Sequence, residues 1–570
     1  MWKAKQSHWR PTERDIVKVW TPVNRPFLQT LFFFALTNLL IPGVISPAAG
    51  QTAKPPQQEP EKPARGQADA AYQKGMQLLQ QKQYSDALEQ FQSVERDAPQ
   101  SPQGPSGQGI ALALMGKPQL AVQALKKALT IDPSYWVARR ELGIVYWSQG
   151  LRAEAARELQ PVVEFHPDDE AGNVILSRYE FGQNHYALAL HYLSRVPAQV
   201  TADAGLSLMA AKAQLKTRQT ATAVQTLKGL IGRPGLTNPQ IFGLAWLLGQ
   251  AHLYKESIRT FNQLPPSFPN DFSHNYGLAL AYFGDGQYGQ CINTLASLLK
   301  HGNTSAETYS LLGVAEEKAG QTKEAYDAFR QGILNNPKDP QNYLDIATLA
   351  CQHLNYDLAI RILTSGIALI PASHELILSR GIARTLKGQF KDAEQDYEQA
   401  IRMAPQDSGN YIALGLSKLE WGDLDGAIGA MQKAAELQPE DPRPYYFQTE
   451  ALLQKGVAPG APGFGQARKA IDTSLSLDPD QPGAYADRAR LELLSGQINA
   501  AISDLERARV ENPGSQSIAY LLAQSYRQNG QKQKGDAIFA QVREAREQES
   551  KQFARESLTQ ALVVISQPNH

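Results

Sequence analysis

Cysteine is nearly absent from this chain. Only Cys291 and Cys351 occur among 570 residues, and neither lies in a CxxC pair or in a spacing typical of metal ligands. Two isolated cysteines exclude the disulfide framework on which small secreted domains depend. We therefore predict that both residues are free thiols, in a chain long enough to bury a large apolar core.

An excess of charge of one sign is also missing. The 56 Lys and Arg residues balance the 56 Asp and Glu residues. A neutral chain gives no support for nucleic acid or an anionic membrane as the main partner. We expect the partners to be other proteins, with no nucleic acid among them.

The motifs of common enzymes are absent as well. The ten histidines are dispersed, and no HExxH, P-loop or GxSxG sequence occurs. The stretch "GPSGQG", 104–109, is too short for a dinucleotide fingerprint. "DPDQPG", 478–483, has Ala489 where a calcium loop requires a bidentate Glu. We predict that the chain is not an enzyme and holds neither a cofactor nor a metal.

The first 67 residues differ in character from the rest. Six Lys and Arg residues within 1–26 precede the apolar run Phe27–Ile45, and the small residues of "SPAAGQTA" follow it. This order predicts an export signal, 1–50, cut near Ala49 or Gly50; an uncleaved membrane anchor is the alternative. Residues 51–67 are rich in Pro and Gln, which predicts a disordered linker. The rest of the chain should then be periplasmic or extracellular, or anchored to a membrane with its repeats outside the cytoplasm.

A 34-residue repeat occupies most of the remaining chain. One position is small in eleven consecutive units and, after a six-residue insertion, in three more. These residues are Ala87, Ala121, Ala155, Ala189, Ala223, Ser257, Cys291, Ala325, Ala359, Ala393, Ala427, Ala467, Ala501 and Gly535. A second small residue lies twelve positions earlier, such as Gly313, and a large apolar residue lies four positions later, such as Phe329. The repeat therefore has 14 units.

The order of residue sizes predicts a pair of packed helices in each unit. Small residues on both helices let the two axes approach closely, near the lower end of the roughly 8–10 Å range. The large residue at i+4 fills space toward the next unit. A proline such as Pro337 closes the unit because it has no N–H to continue a helix. Glycines such as Gly320, Gly388 and Gly422 supply the turn between the paired helices.

These features together resemble the tetratricopeptide repeat. One unit that carries the resemblance has Tyr309, the Leu312-Gly313 pair, Ala325, Phe329 and Pro337. The resemblance implies an all-α fold, a right-handed α-solenoid of about 14 helix-turn-helix units over 68–549, with an insertion near 455–466 and a capping helix in 550–570. Units four to seven lose most closing prolines and the Leu-Gly pair, so their helix ends are harder to predict. The Gly/Pro-rich insertion is interpreted as a tolerated surface loop, with a docking loop as the alternative.

In this family the first helix of each unit lines a groove that binds peptides or partner helices. At the groove positions of units three to seven we find cations beside aromatic residues, which suits an acidic or aromatic peptide. The candidate groove residues are Arg140, Trp147, Arg178, Phe181, Lys212, Phe242, Trp246, Tyr276 and Phe283. The alternative is that the aromatic residues only fill packing gaps and that the cations are solvated.

The expected function is a noncatalytic protein-interaction scaffold. The Lys and Asn pair with which relatives clamp a chaperone C-terminus is missing at the fifth and ninth positions, which disfavours a cochaperone role. An accessory subunit of an envelope enzyme or of an export complex is the second hypothesis. An enzyme that has converged on acid and base groups in the groove is the third.

Overall fold

This computed structural model describes residues 63–265, 271–302 and 304–544. The described residues form helices joined by turns, with no strand among them, so the all-α prediction is confirmed. The predicted export signal, most of the predicted linker and the predicted C-terminal capping helix lie outside the described residues. The first described helix begins at Pro63, so 63–67 are helical although the sequence predicts them as linker. Proline is tolerated in the first turn of a helix, where its missing N–H has no partner to lose.

The chain divides into two compact parts, Met1–Gly286 and Gln287–His570, each of which contains several 34-residue repeats. From here on, "unit" means one of these two parts, and a single 34-residue element is called a repeat. The helices of the first unit are α1 Pro63–Gln80, α2 Tyr84–Asp97, α3 Gln103–Leu114, α4 Pro118–Ile131, α5 Trp136–Ser148, α6 Arg152–Phe165, α7 Glu170–Gly182, α8 Tyr186–Leu193, α9 Pro197–Ala202, α10 Ala204–Lys216, α11 Thr220–Lys228, α12 Asn238–Gln250, α13 Tyr254–Phe261 and α14 Asp271–Gly284.

The second unit continues the same pattern. Its helices are α15 Tyr288–Lys300, α16 Ala306–Lys318, α17 Thr322–Asn335, α18 Gln341–Gln352, α19 Tyr356–Leu369, α20 His374–Lys387, α21 Phe390–Met403, α22 Ser408–Trp421, α23 Leu424–Leu437, α24 Pro442–Lys455, α25 Pro462–Leu477, α26 Pro482–Leu494, α27 Ile498–Glu511, α28 Gln516–Gln528 and α29 532–544. Within each unit, a first helix and a second helix of one repeat form a hairpin, and successive hairpins pack on one another.

Every hairpin turn in the described residues contains a residue with positive φ. Glycine fills this position in most repeats, including the predicted Gly320, Gly388 and Gly422. In other repeats a residue with a side chain adopts the same conformation. These residues are Lys82, Asn184, Arg218, His252 and Leu354, each a multiple of 34 residues from a turn glycine. The turn geometry is therefore set by the repeat, and glycine only makes it easier to adopt.

Small residues meet where the two helices of a hairpin cross, as predicted. The Ser257 hydroxyl on α13 donates to the Ala245 carbonyl on α12 at 2.7 Å. An ideal Cβ on Gly535 would lie 2.6 Å from the Ala523 carbonyl oxygen. The large residue also packs within its own hairpin. The Phe91 ring lies so close to Gly75 that an ideal Cβ on the glycine would be 2.7 Å from it. Phe91 in addition lies against Gly107 of the next hairpin, so it fills space on both sides.

The hairpins of the fourth to sixth repeats depart from the pattern. Their second helices α8, α11 and α13 have 8, 9 and 8 residues, against 14 in α4 and α6. Here the chain turns early, and the extra short helix α9 begins at Pro197. The predicted insertion is a loop over 456–461, and Pro462 then opens α25, so 462–466 are helical. None of the described helices is both long enough and apolar enough to cross a membrane.

Candidate peptide-binding site

The nine predicted groove residues lie on the first helices of five consecutive repeats. Arg140 and Trp147 lie on α5, Arg178 and Phe181 on α7, Lys212 on α10, Phe242 and Trp246 on α12, and Tyr276 and Phe283 on α14. All nine are half-buried. Helix α5 contacts α7, and α12 contacts both α10 and α14. We call the exposed side of these five helices the first-helix face.

Arg140 is held by carboxylates of the chain itself. Its Nε donates to Oδ1 of Asp169 at 2.6 Å, and its guanidinium also contacts Glu141. Burial alone would lower the pKa of Arg140, but the two carboxylates outweigh burial and raise it. Asp169 is the N-cap of α7, where its Oδ2 accepts from the Gly172 N–H at 2.7 Å. Arg140 therefore ties α5 to the start of the next hairpin.

Arg178 has a similar relationship with the following hairpin. Its guanidinium lies 3.6 Å from Oδ2 of Asp203, and Asp203 caps α10 by accepting from the Gly205 and Leu206 N–H groups. Burial lowers the pKa of Arg178, and Asp203 opposes that shift. The side chains of Arg140 and Arg178 are 17% and 18% exposed. The alternative that these two cations are solvated is therefore wrong.

Lys212 faces an aromatic ring on the preceding first helix. Its Nζ lies 5.6 Å from the centroid of the Phe181 ring, within the range of a cation–π interaction. Burial, and to a smaller extent the neighbouring Lys216, lowers the pKa of Lys212. Phe181 also packs edge-on against Tyr186, at 5.5 Å between ring centroids. The contact with Lys212 links α7 to α10 on the first-helix face.

Aromatic residues form a second cluster on α12 and α14. The Phe242 and Trp246 rings stack at 6.2 Å, and Phe242 also meets the buried Phe261 edge-on at 5.9 Å. Trp246 lies over Gly277 of α14, where an ideal Cβ would be 3.0 Å from its ring. Tyr276 stacks on Phe272 at 5.4 Å. These rings fill packing space, as the alternative interpretation holds, but Phe242, Trp246 and Tyr276 are also partly exposed.

The sequence prediction missed the acidic partners of the two arginines. Asp169 and Asp203 are 34 residues apart and precede first helices, which is the N-cap signature that could have identified them. It also missed Arg152, whose guanidinium lies 5.9 Å from the Trp147 ring. Arg152 lies on the next helix, five positions after Trp147, so the first-helix positions used to predict the groove do not include it.

The remaining candidates for chemistry are metal ligands and the two cysteines in the part of the chain that the structure describes. No group of three His, Cys, Asp or Glu residues in this part could hold a metal ion. Cys291 and Cys351 are free, which confirms the prediction for the two thiols. Burial raises the pKa of Cys291 to about 12 and that of Cys351 to about 11, so neither is a ready nucleophile at neutral pH.

Comparisons with known proteins point to one family. Family models described as tetratricopeptide repeats match residues 72–135, 112–174 and 375–407. Small glutamine-rich tetratricopeptide repeat-containing protein 2 of Saccharomyces cerevisiae is 24% identical over 27% of this chain and 41% of its own length. Tetratricopeptide repeat protein 36 of Mus musculus is 30% identical over 24% of this chain and 66% of its own length. The chain thus spans less than half the length of the yeast relative.

The solved structures that align with the chain include yeast Tom70. It aligns with a TM-score of 0.41 and 17% identity, over 84% of this chain and 97% of that protein.

Proposed function

Because this chain is a tetratricopeptide repeat protein, we propose that it is a noncatalytic scaffold whose first-helix face binds an extended segment of a partner protein. Repeat proteins of this family serve in general as protein-interaction scaffolds. The observation that carries the proposal is the set of partly exposed aromatic rings on the first helices α7, α12 and α14, namely Phe181, Phe242, Trp246 and Tyr276. Half-buried aromatic side chains with one open edge are typical anchors in protein interfaces.

The arrangement favours an extended segment over a globular partner. Neighbouring first helices lie about 8–10 Å apart when they pack directly. A segment in an extended conformation rises about 3.3 Å per residue, so every third residue or so could meet the first helix of the next hairpin. The rings would accept apolar or aromatic side chains of the partner, and the polar groups between them would contact its backbone.

The proposal is tested by selecting peptides from a random displayed library on the full chain. Synthetic copies of the selected peptides are then titrated against wild type and Trp246→Ala. We expect Trp246→Ala to weaken binding by roughly tenfold or more, since the loss of an aromatic anchor costs about 1.4–2 kcal/mol or more. Trp421→Ala is the matched control, because Trp421 is 43% exposed and lies on the first helix α22 of the other unit.

Two results would overturn this proposal. The library could yield no peptide that binds the folded chain, or Trp246→Ala and Trp421→Ala could bind the selected peptides equally well. Because Trp246 contacts its neighbours, Trp246→Leu should be measured in parallel, with circular dichroism to show that each variant is folded. Loss of peptide binding in a folded Trp246→Leu variant would support the aromatic anchor.

We also propose that the chain is exported, on the strength of the basic stretch and the apolar run that precede the repeats. A scaffold outside the cytoplasm could equally be an accessory subunit of an envelope enzyme or of an export complex. The test is the mass of the mature chain after expression in the host, with and without Phe27–Ile45. Loss of about 50 residues that depends on the apolar run would support cleavage, and an intact membrane-bound chain would support the anchor.

A further inference from the structure

Positive charge is concentrated in two adjacent hairpins of the first unit. Residues 204–261, the fifth and sixth repeats, contain seven Lys and Arg residues and one acidic residue, Glu256. The basic residues are Lys212, Lys216, Arg218, Lys228, Arg233, Lys255 and Arg259. A chain with no net charge therefore has a strongly basic region within its repeats, and that region overlaps the first-helix face at α10 and α12.

Most of these cations are exposed and have no carboxylate partner. Lys216, Arg218, Lys228, Lys255 and Arg259 are exposed, and none of the five forms an ion pair within the described residues. Arg233 instead donates to the carbonyls of Thr201 and Ala202 at the end of α9. In contrast, Arg140 and Arg178 already face carboxylates of the chain. The positive charge open to a partner thus lies in the fifth and sixth repeats rather than at the two predicted arginines.

Two of the cations lie on the first-helix face next to the aromatic residues. Lys212 and Lys216 are four residues apart on α10, so their side chains share one side of the helix. Lys212 also contacts the Phe181 ring of α7. The adjoining helix α12 carries Phe242 and Trp246. A bound segment that reaches from α7 to α12 would therefore meet an aromatic site first, then the two ammonium groups of α10, and then a second aromatic site.

From this arrangement we infer that the partner segment is acidic, with Asp or Glu side chains that meet Lys212 and Lys216 while its apolar or aromatic residues meet Phe181 and Trp246. This inference rests on the proposed function, because it specifies the partner class for the same face. The remaining exposed cations of the two hairpins would speed the approach of such a segment through long-range attraction.

Charge complementarity favours an acidic polypeptide over a nucleic acid or a membrane. A protein that binds a phosphate backbone presents many cations along the whole path of the strand, because each phosphate carries a charge. Here the cations end after two hairpins, and the next first helix, α14, continues the face with Tyr276 and Phe283 and has no Lys or Arg. Alternating anionic and aromatic side chains match this order better than a uniform polyanion does.

The test uses three synthetic peptides that differ only in charge: repeats of Glu-Glu-Tyr, Gln-Gln-Tyr and Lys-Lys-Tyr, titrated against the full chain at low and moderate salt. We expect the Glu peptide to bind roughly tenfold more tightly than the Gln peptide at low salt, and that advantage to shrink as salt rises. Lys216→Glu should abolish the advantage. Lys318→Glu is the matched control, since Lys318 is an exposed last residue of the first helix α16, three repeats further on.

The outcomes separate this inference from the proposed function. Equal binding of the Glu and Gln peptides, with both sensitive to Trp246→Ala, would overturn the acidic preference and leave the peptide-binding face intact. Failure of all three peptides to bind, together with no effect of Trp246→Ala on library-selected peptides, would overturn the proposed function itself. If phosphatidylglycerol vesicles or a single-stranded oligonucleotide bound in a Lys216-dependent way and the Glu peptide did not, the partner would not be an acidic protein segment.

Discussion

The ring of Tyr397 lies directly over the backbone of Gly381, so that an ideal Cβ on the glycine would be 2.8 Å from Cε1 of the ring. Tyr397 is 1% exposed, and its hydroxyl lies 2.8 Å from the Thr385 hydroxyl. The same contact between residues 16 apart recurs at Gly75 with Phe91 and at Gly415 with Met431. Hairpin packing thus depends on a glycine that admits a large side chain from the second helix.

We expect Gly381→Ala to destabilise the second unit by about 1–3 kcal/mol, because the added methyl group overpacks a filled contact. Alanine itself favours a helix over glycine by roughly 0.8–1 kcal/mol, so any net loss must come from packing. Gly429→Ala is the matched control: Gly429 lies within α23, and a Cβ there would meet nothing within 4 Å. This control should be stabilising. Urea unfolding of both variants tests the assignment, and a stabilised Gly381→Ala would contradict it.

Leu354 occupies the left-handed turn position that glycine fills in most repeats. Its φ is 58°, and its side chain is 63% exposed, so it loses little burial when it is removed. Leu354→Gly should therefore stabilise the second unit by about 1 kcal/mol, since an L-residue in this conformation costs about 1–2 kcal/mol. The converse change, Gly388→Leu at φ 84°, should destabilise by a similar amount. Thermal unfolding that shifts in the same direction for both variants would be inconsistent with strain at this position.

Most of the fold could be predicted from the sequence, because the repeat pattern constrains each hairpin locally. The small residues Ala325 and Ala393 are fully buried, as the repeat pattern predicts. In each of their hairpins the turn glycine lies five positions before the small residue. The exceptions are local as well. The early ends of α8 and α13 could not be predicted, because closing prolines are missing and the length of a helix then depends on how the next hairpin packs.

The candidate site was less accessible to sequence reasoning. The register places Arg140, Arg178 and Lys212 on one face, and the structure confirms that they lie on first helices. Whether a cation there is open or already paired depends on Asp169 and Asp203, which belong to neighbouring hairpins. Contacts of this kind join residues 25 or 29 positions apart, and a pattern of residue types at one position does not reveal them.

Stability of the second unit should fall as the pH rises, in part because of Asp345. This residue is 4% exposed, and its Oδ1 accepts from Nε2 of Gln341 at 2.9 Å. Burial raises the pKa of Asp345 to about 7, well above its ordinary value of 3.8. The folded chain therefore retains a proton that the unfolded chain releases. The contribution of this proton to the free energy of unfolding is full below about pH 4 and is lost as the pH rises through about 7.

We expect Asp345→Asn to reduce the loss of stability that the second unit shows as the pH rises. The amide keeps the oxygen that faces Gln341 and carries no charge, so the variant should gain at least about 1 kcal/mol over wild type near pH 8 and little near pH 4. Asp487 and Glu316, whose pKa values are also raised to about 7, would account for the pH dependence that remains. Asp480→Asn, at an exposed position, serves as the control. Identical pH profiles for wild type and Asp345→Asn, measured by urea unfolding, would argue against a buried protonated carboxyl.

Asp169 performs two roles that can be separated by a single substitution. Asparagine is as good an N-cap as aspartate, so Asp169→Asn should keep the hydrogen bond from Gly172 while it removes the charge that faces Arg140. Loss of a charged hydrogen bond at this partly buried pair should cost about 1.5–3 kcal/mol. The effect should appear as faster amide hydrogen exchange in α5 and α7, because the pair ties these two hairpins together. Asp407→Asn, at the N-cap of α22, changes a cap that accepts from Gly409 and faces no arginine, and exchange in its hairpin should change little. If α5 and α7 exchanged at the wild-type rate in Asp169→Asn, Arg140 would not depend on this carboxylate and would again be a candidate for direct contact with a partner.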